Sequence, residues 1–309
     1  MGDLLLLAEG LQFPEGPIAL PDGSVLVVEI ARGTLCRVAE GEVTVVAELG
    51  GGPNGAAIGP DGQCYVCNNG GFAWIEASGG RLFPGVESDD YSGGRIEKVD
   101  LQTGRVETLY THCEGHPLRG PNDIVFDRGG GFWFTDHGKT RTRQRDRTGV
   151  FYARADGSFI EEALFPLESP NGIGLSPDEE QLYIAETTTG RLWAYQLDAP
   201  GKIKRQRRDK PDGGQLVPGR SGYFLFDSLA VDVEGNICVA TLLEGGITIL
   251  KPGGGEPEHV AMPDKVTTNI CFGGDDLRTA YITLSSTGQL VSMPWKTAGL
   301  PLNFLNTKR

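Results

Sequence analysis

Long apolar runs and helical periodicity are both missing from this chain of 309 residues. The four leucines at 4–7 are too few to cross a bilayer. Asp3 stands just before them, where a signal peptide would carry basic residues. We therefore expect no signal peptide, no membrane partner and a cytoplasmic location. Since no useful stretch repeats its apolar residues with the period of a helix, a chain built from strands is favoured.

Basic residues are scarce, with 28 Lys and Arg against 41 Asp and Glu, which gives a net charge of −13. This balance argues against non-specific binding to nucleic acid or to anionic membranes. Two basic clusters occur, at 139–147 and 202–208, but neither contains an interleaved aromatic residue. We interpret both clusters as solvated loops, and we predict no nucleic-acid partner.

Cysteine and glycine also occur without the patterns that would give them special roles. Cys64 and Cys67 form a C-x-x-C pair, but in a strand their side chains would point to opposite faces. We therefore predict no redox motif and no zinc site, and we expect all six cysteines to be buried, reduced thiols. The 46 glycines show no three-residue period, which excludes collagen. They fall in turns between short apolar runs, as in an all-β protein.

The chain does contain a sequence motif that recurs six times, for example as EGPIALPDG, PNGAAIGPDG and PNGIGLSPDE. Each copy carries an oxygen-bearing side chain at one fixed place, and we call these six residues the anchors: Glu15, Asn54, Asn122, Asn171, Asp227 and Asn269. A short strand follows each anchor, then a turn that is usually an acid and a glycine, then a second and a third strand. A fourth strand can be found in most copies.

Six units of four short strands, spaced by about 40 residues, predict a six-bladed β-propeller. We expect one all-β domain over 1–309, with four-stranded antiparallel blades around a central channel. The strand at 4–7 precedes the first anchor, and we expect it to complete the last blade and so close the ring. An insertion at 72–94 in the second repeat is interpreted as either a lid or an interface.

The first strand of a propeller blade lines the channel, so the six anchors should converge near one axial point. Asn54 and Asn269 could equally serve to cap turns. Two carboxylates and two amides remain, at Glu15, Asp227, Asn122 and Asn171, with no Lys or Arg at an equivalent place. Burying them is costly unless they bind a cation. Ca²⁺ is favoured because amide oxygens suit it; Mg²⁺, Mn²⁺ and Zn²⁺ stay open.

Four motifs together also carry a family resemblance: EGP at 15–17, PND at 121–123, PNG at 170–172 and DSLAVDVEGNICVA at 227–240. They resemble the SMP-30/gluconolactonase/luciferin-regenerating-enzyme family of six-bladed propellers, relatives of diisopropyl-fluorophosphatase and paraoxonase. The resemblance implies that Glu15, Asn122, Asn171 and Asp227 ligate one catalytic metal. It also implies a general-base role for Asp227 in a lactonase, or a nucleophilic role as in the phosphatase relative.

The expected function is a metal-dependent hydrolase that opens a small-molecule lactone to a hydroxy acid. Two alternatives stay open at this point. One is hydrolysis of phosphotriesters or of another ester at the same metal, and the other is a non-enzymatic binding module with a structural metal. The sequence indicates nothing about the oligomeric state.

A second set of residues is predicted, less directly, to contact the substrate: Asn54, Asn69, Arg119, Asp136, His137 and Asn269. For Asp136 a hydrogen bond to a neighbouring loop is an equal alternative, and for His137 a surface position is favoured. Sugar lactonases of the resembled family carry Arg two residues before the metal-binding Asn, where this chain has Gly120. The aromatic residues predicted to lie near the anchors would suit a less polar ring: Phe13, Phe72, Trp74 and Phe226.

Overall fold

Every repeat folds as an antiparallel sheet of short strands in the computed structural model, which describes residues 3–307. Short runs rich in Val, Ile and aromatic residues form the strands, and acid–glycine turns separate them. The elements described over 3–307 are all β-strands, which confirms the predicted all-β class. Within the same range no helix is long and apolar enough to cross a membrane.

Up to the end of the third repeat the strands are β1 (Leu5–Ala8), β2 (Pro14–Ala19), β3 (Val25–Glu29), β4 (Thr34–Ala39), β5 (Glu42–Glu48), β6 (Pro53–Ile58), β7 (Cys64–Asn68), β8 (Phe72–Ala77), β9 (Arg81–Glu87), β10 (Arg95–Val99), β11 (Val106–Tyr110), β12 (His112–Cys113), β13 (His116–Pro117), β14 (Pro121–Phe126), β15 (Gly131–Asp136), β16 (Thr148–Arg154) and β17 (Ile160–Leu167). The remaining strands are β18 (Pro170–Leu175), β19 (Gln181–Glu186), β20 (Arg191–Ala199), β21 (Lys202–Ile203), β22 (Gln215–Val217), β23 (Leu225–Val231), β24 (Ile237–Leu242), β25 (Gly246–Leu250), β26 (Glu258–Ala261), β27 (Thr267–Gly273), β28 (Thr279–Leu284) and β29 (Gln289–Pro294).

Six sheets arranged in a ring make a six-bladed propeller, as predicted. Five blades read outwards as β2-β3-β4-β5, β6-β7-β10-β11, β14-β15-β16-β17, β18-β19-β20 and β23-β24-β25-β26. In the fourth blade β21 and β22 both pair with β20, with the polar run of 204–214 between them. The sixth blade reads β27-β28-β29-β1, so the N-terminal strand closes the ring as predicted, one residue later than expected.

The apolar core lies between neighbouring blades rather than along the axis. One buried cluster joins the third and fourth blades through Trp133 and Ile184, and a similar cluster fills each of the other junctions. Cys64 and Cys67 enter different clusters on opposite faces of β7, and all six cysteines are buried and free. The expectation of reduced core thiols is confirmed.

The inner strand of every blade changes register beside its anchor residue. Pairing slips between Glu15 and Ile18 in the first blade, and the same irregularity recurs in the other five. Such a bulge bends the strand and re-aims a side chain. Glycine follows the anchor where inner strands approach closely; a Cβ on Gly172 would lie 2.7 Å from the Asp227 carbonyl oxygen. The bulges thus direct the anchors toward the axis.

Candidate metal centre

Five of the six anchors line one cavity of about 600 Å³ at one end of the channel: Glu15, Asn54, Asn122, Asn171 and Asp227. Four of them are buried, and Asp227 is partly exposed to the cavity. The sixth anchor, Asn269, lines a separate cavity at the other side of the ring. The anchors therefore form a polar floor between two cavities, and the larger one opens above it.

Hydrogen bonds fix the orientation of the floor residues. Asn269 Nδ2 donates to Glu15 Oε2 at 2.7 Å, while its own Oδ1 accepts the Ile270 N–H at 2.8 Å. Asn171 Nδ2 donates to Thr187 Oγ1 at 3.1 Å, and its amide oxygen accepts the Ser228 hydroxyl at the longer distance of 3.5 Å. Asn122 Oδ1 is buried and has no hydrogen-bond partner within residues 3–307. A buried acceptor without a donor is costly, which marks it as a ligand position.

The carboxylates of the floor repel one another. Burial and the neighbouring Glu15 charge raise the pKa of Asp227 well above its ordinary value. Burial likewise raises the pKa of Glu15, against the lowering effect of its bonds to Asn269 and Gly16. No Lys or Arg side chain of the described residues forms an ion pair with either carboxylate. The floor is therefore a site of uncompensated negative charge.

Oxygen ligands are all that this floor offers to a cation. Across 3–307 no group of three or more His, Cys, Asp or Glu side chains is arranged to hold a metal ion. A metal here would therefore bind a mixed set of Glu15, Asp227, Asn122 and Asn171. Two carboxylates and two amide oxygens, of which the Asn122 oxygen is unpartnered, fit a hard divalent ion such as Ca²⁺.

Asp123 follows Asn122 and carries a third carboxylate under the floor, facing the other cavity. Burial and the Glu15 charge raise its pKa to about 7. An unfolded Asp titrates near pH 3.9, so the metal-free fold loses stability as pH rises from roughly 4 to 7. At 1.4 kcal/mol per pKa unit, the loss is on the order of 4 kcal/mol.

We expect Asp123→Asn to remove this part of the pH dependence. In the presence of a chelator, the variant should gain unfolding free energy over the parent protein at pH 7.5, and the gain should shrink at pH 5. Urea unfolding at both pH values checks this, because comparing the two proteins cancels the other titrating groups. An equal difference at both pH values would contradict the prediction.

A matching set of acceptors stands behind the floor at the end of the second strand of four blades: Glu29, Asn68, Asp136 and Glu186. Each accepts a backbone N–H from the loop that precedes the anchor of its own blade. Asp136, for example, accepts the N–H groups of Arg119 and Gly120 at 2.7 Å each. The loop-binding alternative for Asp136 is therefore what the structure shows, and these residues position the anchors.

The other residues of the predicted substrate set lie in different surroundings. Asn54 lines the cavity among the anchors, whereas Arg119 is exposed and outside its lining. Asn69 is buried outside the cavity lining, where its Oδ1 accepts a hydrogen bond from Lys139 Nζ at 2.9 Å. His137 does not lie on the surface as the sequence favours. It lines the cavity, and burial lowers its pKa to about 3, so that the imidazole is neutral.

Lys139 is a residue of this region that the sequence does not single out. The basic cluster at 139–147 is predicted to be a solvated loop, and that prediction is wrong for its first members. Lys139 is buried and donates to Gly71 O at 2.7 Å, while Arg141 pairs with Glu87 at 2.7 Å. The loop thereby holds both ends of the inserted hairpin β8–β9. Desolvation lowers the pKa of Lys139 to about 7, despite nearby carboxylates.

The inserted hairpin forms one wall of the cavity, through residues that include Phe72, Arg81 and Phe83. The insertion, predicted to be either a lid or an interface, therefore lies beside the site. Phe13 also lines the cavity, and Trp74 packs against its ring at 5.1 Å between centroids. Phe226 does not reach the site; it is buried between the fourth and fifth blades.

The family model of the SMP-30/gluconolactonase/LRE-like region matches residues 13–286 of this chain. The chain belongs to this family. The resemblance carried by the four motifs is thereby confirmed.

Curated relatives in the family share about a quarter of their residues with this chain. The gluconolactonase of Zymomonas mobilis is 27% identical, over 91% of this chain and 78% of the relative. The lactonase drp35 of Staphylococcus haemolyticus is 27% identical, over 83% of this chain and 71% of the relative. Among solved structures, the calcium-binding protein regucalcin of Agrobacterium tumefaciens gives a TM-score of 0.76 at 20% identity, over 99% and 98% of the two chains. At that identity the structural match supports the fold alone.

Proposed function

We propose that this family member is a metal-dependent lactonase that hydrolyses a small lactone to a hydroxy acid. The observation that carries the proposal is the floor of the larger cavity. There Glu15 and Asp227 lack a cationic partner within 3–307, and Asn122 presents an unpartnered buried oxygen. Two relatives named gluconolactonase and lactonase support the choice of reaction.

Glu15, Asp227, Asn122 and Asn171 would hold the metal, and Ca²⁺ suits their oxygen atoms best. When bound, a divalent ion supplies a positive charge that polarises the lactone carbonyl and lowers the pKa of a water molecule. The two carboxylates balance that charge, so that an uncharged lactone is not repelled. Asn269 and Thr187 fix the orientation of Glu15 and Asn171.

We assign the proton transfer to Asp227. It is the carboxylate of the floor that is partly exposed to the cavity. As a metal ligand it would still have a second carboxylate oxygen to accept a proton. Asp227 therefore accepts a proton from the attacking water and returns it to the ring oxygen as the ester bond breaks. Water adds across that bond, and the product is a hydroxy acid.

One assay distinguishes lactone hydrolysis from phosphotriester hydrolysis and from a binding module without catalysis. Lactones and aryl phosphotriesters are incubated with the Ca²⁺-loaded protein, and acid release is followed with a pH indicator. We expect hydrolysis of lactones and none of the phosphotriesters. Hydrolysis of phosphotriesters alone would favour phosphatase chemistry, and hydrolysis of neither would favour a binding module.

A further inference from the structure

The walls above the polar floor are largely apolar. Seven hydrophobic side chains line the larger cavity: Phe13, Ile30, Phe72, Phe83, Leu242, Leu243 and Val266. They come from the first, fifth and sixth repeats and from the inserted hairpin. A substrate that touches the floor with its reacting group can therefore place much of its remaining surface against hydrocarbon.

Several polar side chains of the walls are already engaged within the protein, although Arg81, His137 and Lys265 also line the cavity. Ser286 Oγ donates to Asp264 Oδ1 at 2.7 Å, and Thr187 Oγ1 accepts from Asn171. Asp264 also accepts the N–H of Thr287 at 3.0 Å. At Ser286, Thr187 and Asp264 a polyhydroxylated ring would exchange its water for groups that are satisfied elsewhere, which opposes its binding there.

An aromatic corner forms on the side of the inserted hairpin. The Trp74 ring packs 5.1 Å from Phe13 and 6.1 Å from Phe72, between ring centroids. Lys139 Nζ lies 3.9 Å from the centre of the Phe72 ring and holds it in place from outside the cavity. The corner is thus fixed before a ligand arrives, which favours a flat or ring-shaped apolar group.

Leu243 faces this corner across the cavity in an unusual backbone conformation. Its φ is 72°, in the left-handed region that a leucine rarely adopts, and its side chain is 44% exposed. The Leu243 N–H donates to the Lys265 carbonyl at 2.9 Å, which maintains that conformation. Phe13 is also held at a positive φ, of 57°. Strain of this kind in two cavity-lining apolar residues points to a ligand contact.

We propose that the substrate is a lactone that carries an apolar substituent of about the size of a phenyl ring. This inference rests on the lactonase proposed above and specifies its substrate class. The reacting ester meets the polar floor, and the substituent lies between Leu243 and the rings of Phe13 and Phe72, against which Trp74 packs.

Three δ-lactones test the inference with the Ca²⁺-loaded protein: δ-valerolactone, its derivative with a phenyl group on the carbon next to the ring oxygen, and glucono-δ-lactone. Each kcat/KM is divided by the rate of base hydrolysis of that lactone. We expect the phenyl derivative to exceed unsubstituted δ-valerolactone by at least about tenfold, the effect of small apolar groups in hydrophobic pockets. Glucono-δ-lactone should be the poorest of the three.

Leu243→Gly supplies the matched variant, because glycine adopts the same φ without strain. It should lower the preference for the phenyl derivative several-fold, because KM should rise more for that derivative than for δ-valerolactone. Leu277→Gly is the control, since Leu277 has a φ of 55° but lies outside the cavity lining. A preference for glucono-δ-lactone, or an unchanged preference in Leu243→Gly, would overturn the inference alone. Hydrolysis of none of the three lactones would reject the lactonase proposal as well.

Discussion

Asp227→Asn is expected to reduce lactone hydrolysis by about 10²–10⁴-fold in kcat, the usual contribution of a positioned general base. The amide keeps the shape of the side chain but cannot accept the proton. It also removes one of two negative charges from the floor, and metal affinity should fall with it. Initial rates at saturating Ca²⁺ and a Ca²⁺ titration of the melting temperature measure the two effects separately.

The same substitution should stabilise the metal-free protein. Burial and Glu15 hold the pKa of Asp227 above its ordinary value, so the ionised carboxylate weakens the fold at neutral pH. In the presence of a chelator, Asp227→Asn should therefore melt at a higher temperature than the parent protein. Loss of activity together with a lower melting temperature would instead indicate simple misfolding.

Asp123→Asn is the matched control for Asp227→Asn. It removes a neighbouring buried carboxylate whose pKa is raised by the same Glu15, but Asp123 faces the opposite cavity. This variant should also stabilise the metal-free protein, while the stabilisation by Ca²⁺ and the hydrolysis of lactones persist. If both variants lost activity to the same extent, the assignment of the proton transfer to Asp227 would fail.

Removal of metal is expected to abolish hydrolysis, and Ca²⁺ is expected to restore it. Binding to the folded state alone stabilises a protein by about 2.7 kcal/mol when the ligand is at 100 times its Kd. Ca²⁺ bound at the floor would relieve the repulsion between Glu15 and Asp227, and the melting temperature should therefore rise with the Ca²⁺ concentration. Mg²⁺, Mn²⁺ and Zn²⁺, tested under the same conditions, rank the ions by the shift they produce.

This stabilisation by Ca²⁺ should decrease as the pH is lowered. Both carboxylates have raised pKa values, so protons compete with the ion at a higher pH than for ordinary carboxylates. The shift in melting temperature should thus be larger at pH 8 than at pH 6. Full activity after exhaustive chelation, with no effect of added Ca²⁺, would refute the metal-dependent mechanism.

The repeat made the blade architecture predictable, because six copies of one pattern fix both the strand order and the place of the anchors. The bulges beside the anchors were not predictable. They depend on how neighbouring inner strands approach, as at Gly172 and Asp227, which lie 55 positions apart in the chain. The repeat predicted that the anchors converge, but it did not predict which residues form hydrogen bonds with them.

The residues around the floor were harder to predict from the sequence than the residues of the floor itself. Lys139 is the first residue of a basic cluster. Its neighbours in the sequence do not indicate that the Asn69 side-chain oxygen and the Gly71 carbonyl oxygen accept hydrogen bonds from its ammonium group. His137 follows a strand at a position typical of surface loops, yet it lines the cavity together with residues of the inserted hairpin. Contacts between distant segments decide both cases, and no single-sequence pattern records them.

The closure of the ring has a consequence for how the protein is made. Glu15 and Asn269 are 254 positions apart in the chain, yet one hydrogen bond of 2.7 Å joins them in the floor. On the ribosome the first blade emerges long before its partner, so the finished floor cannot exist until the sixth blade has been synthesised. Hydrolytic activity would then arise only once the sixth blade has been made, and a shorter nascent chain would carry the charged residues of the floor without a complete site.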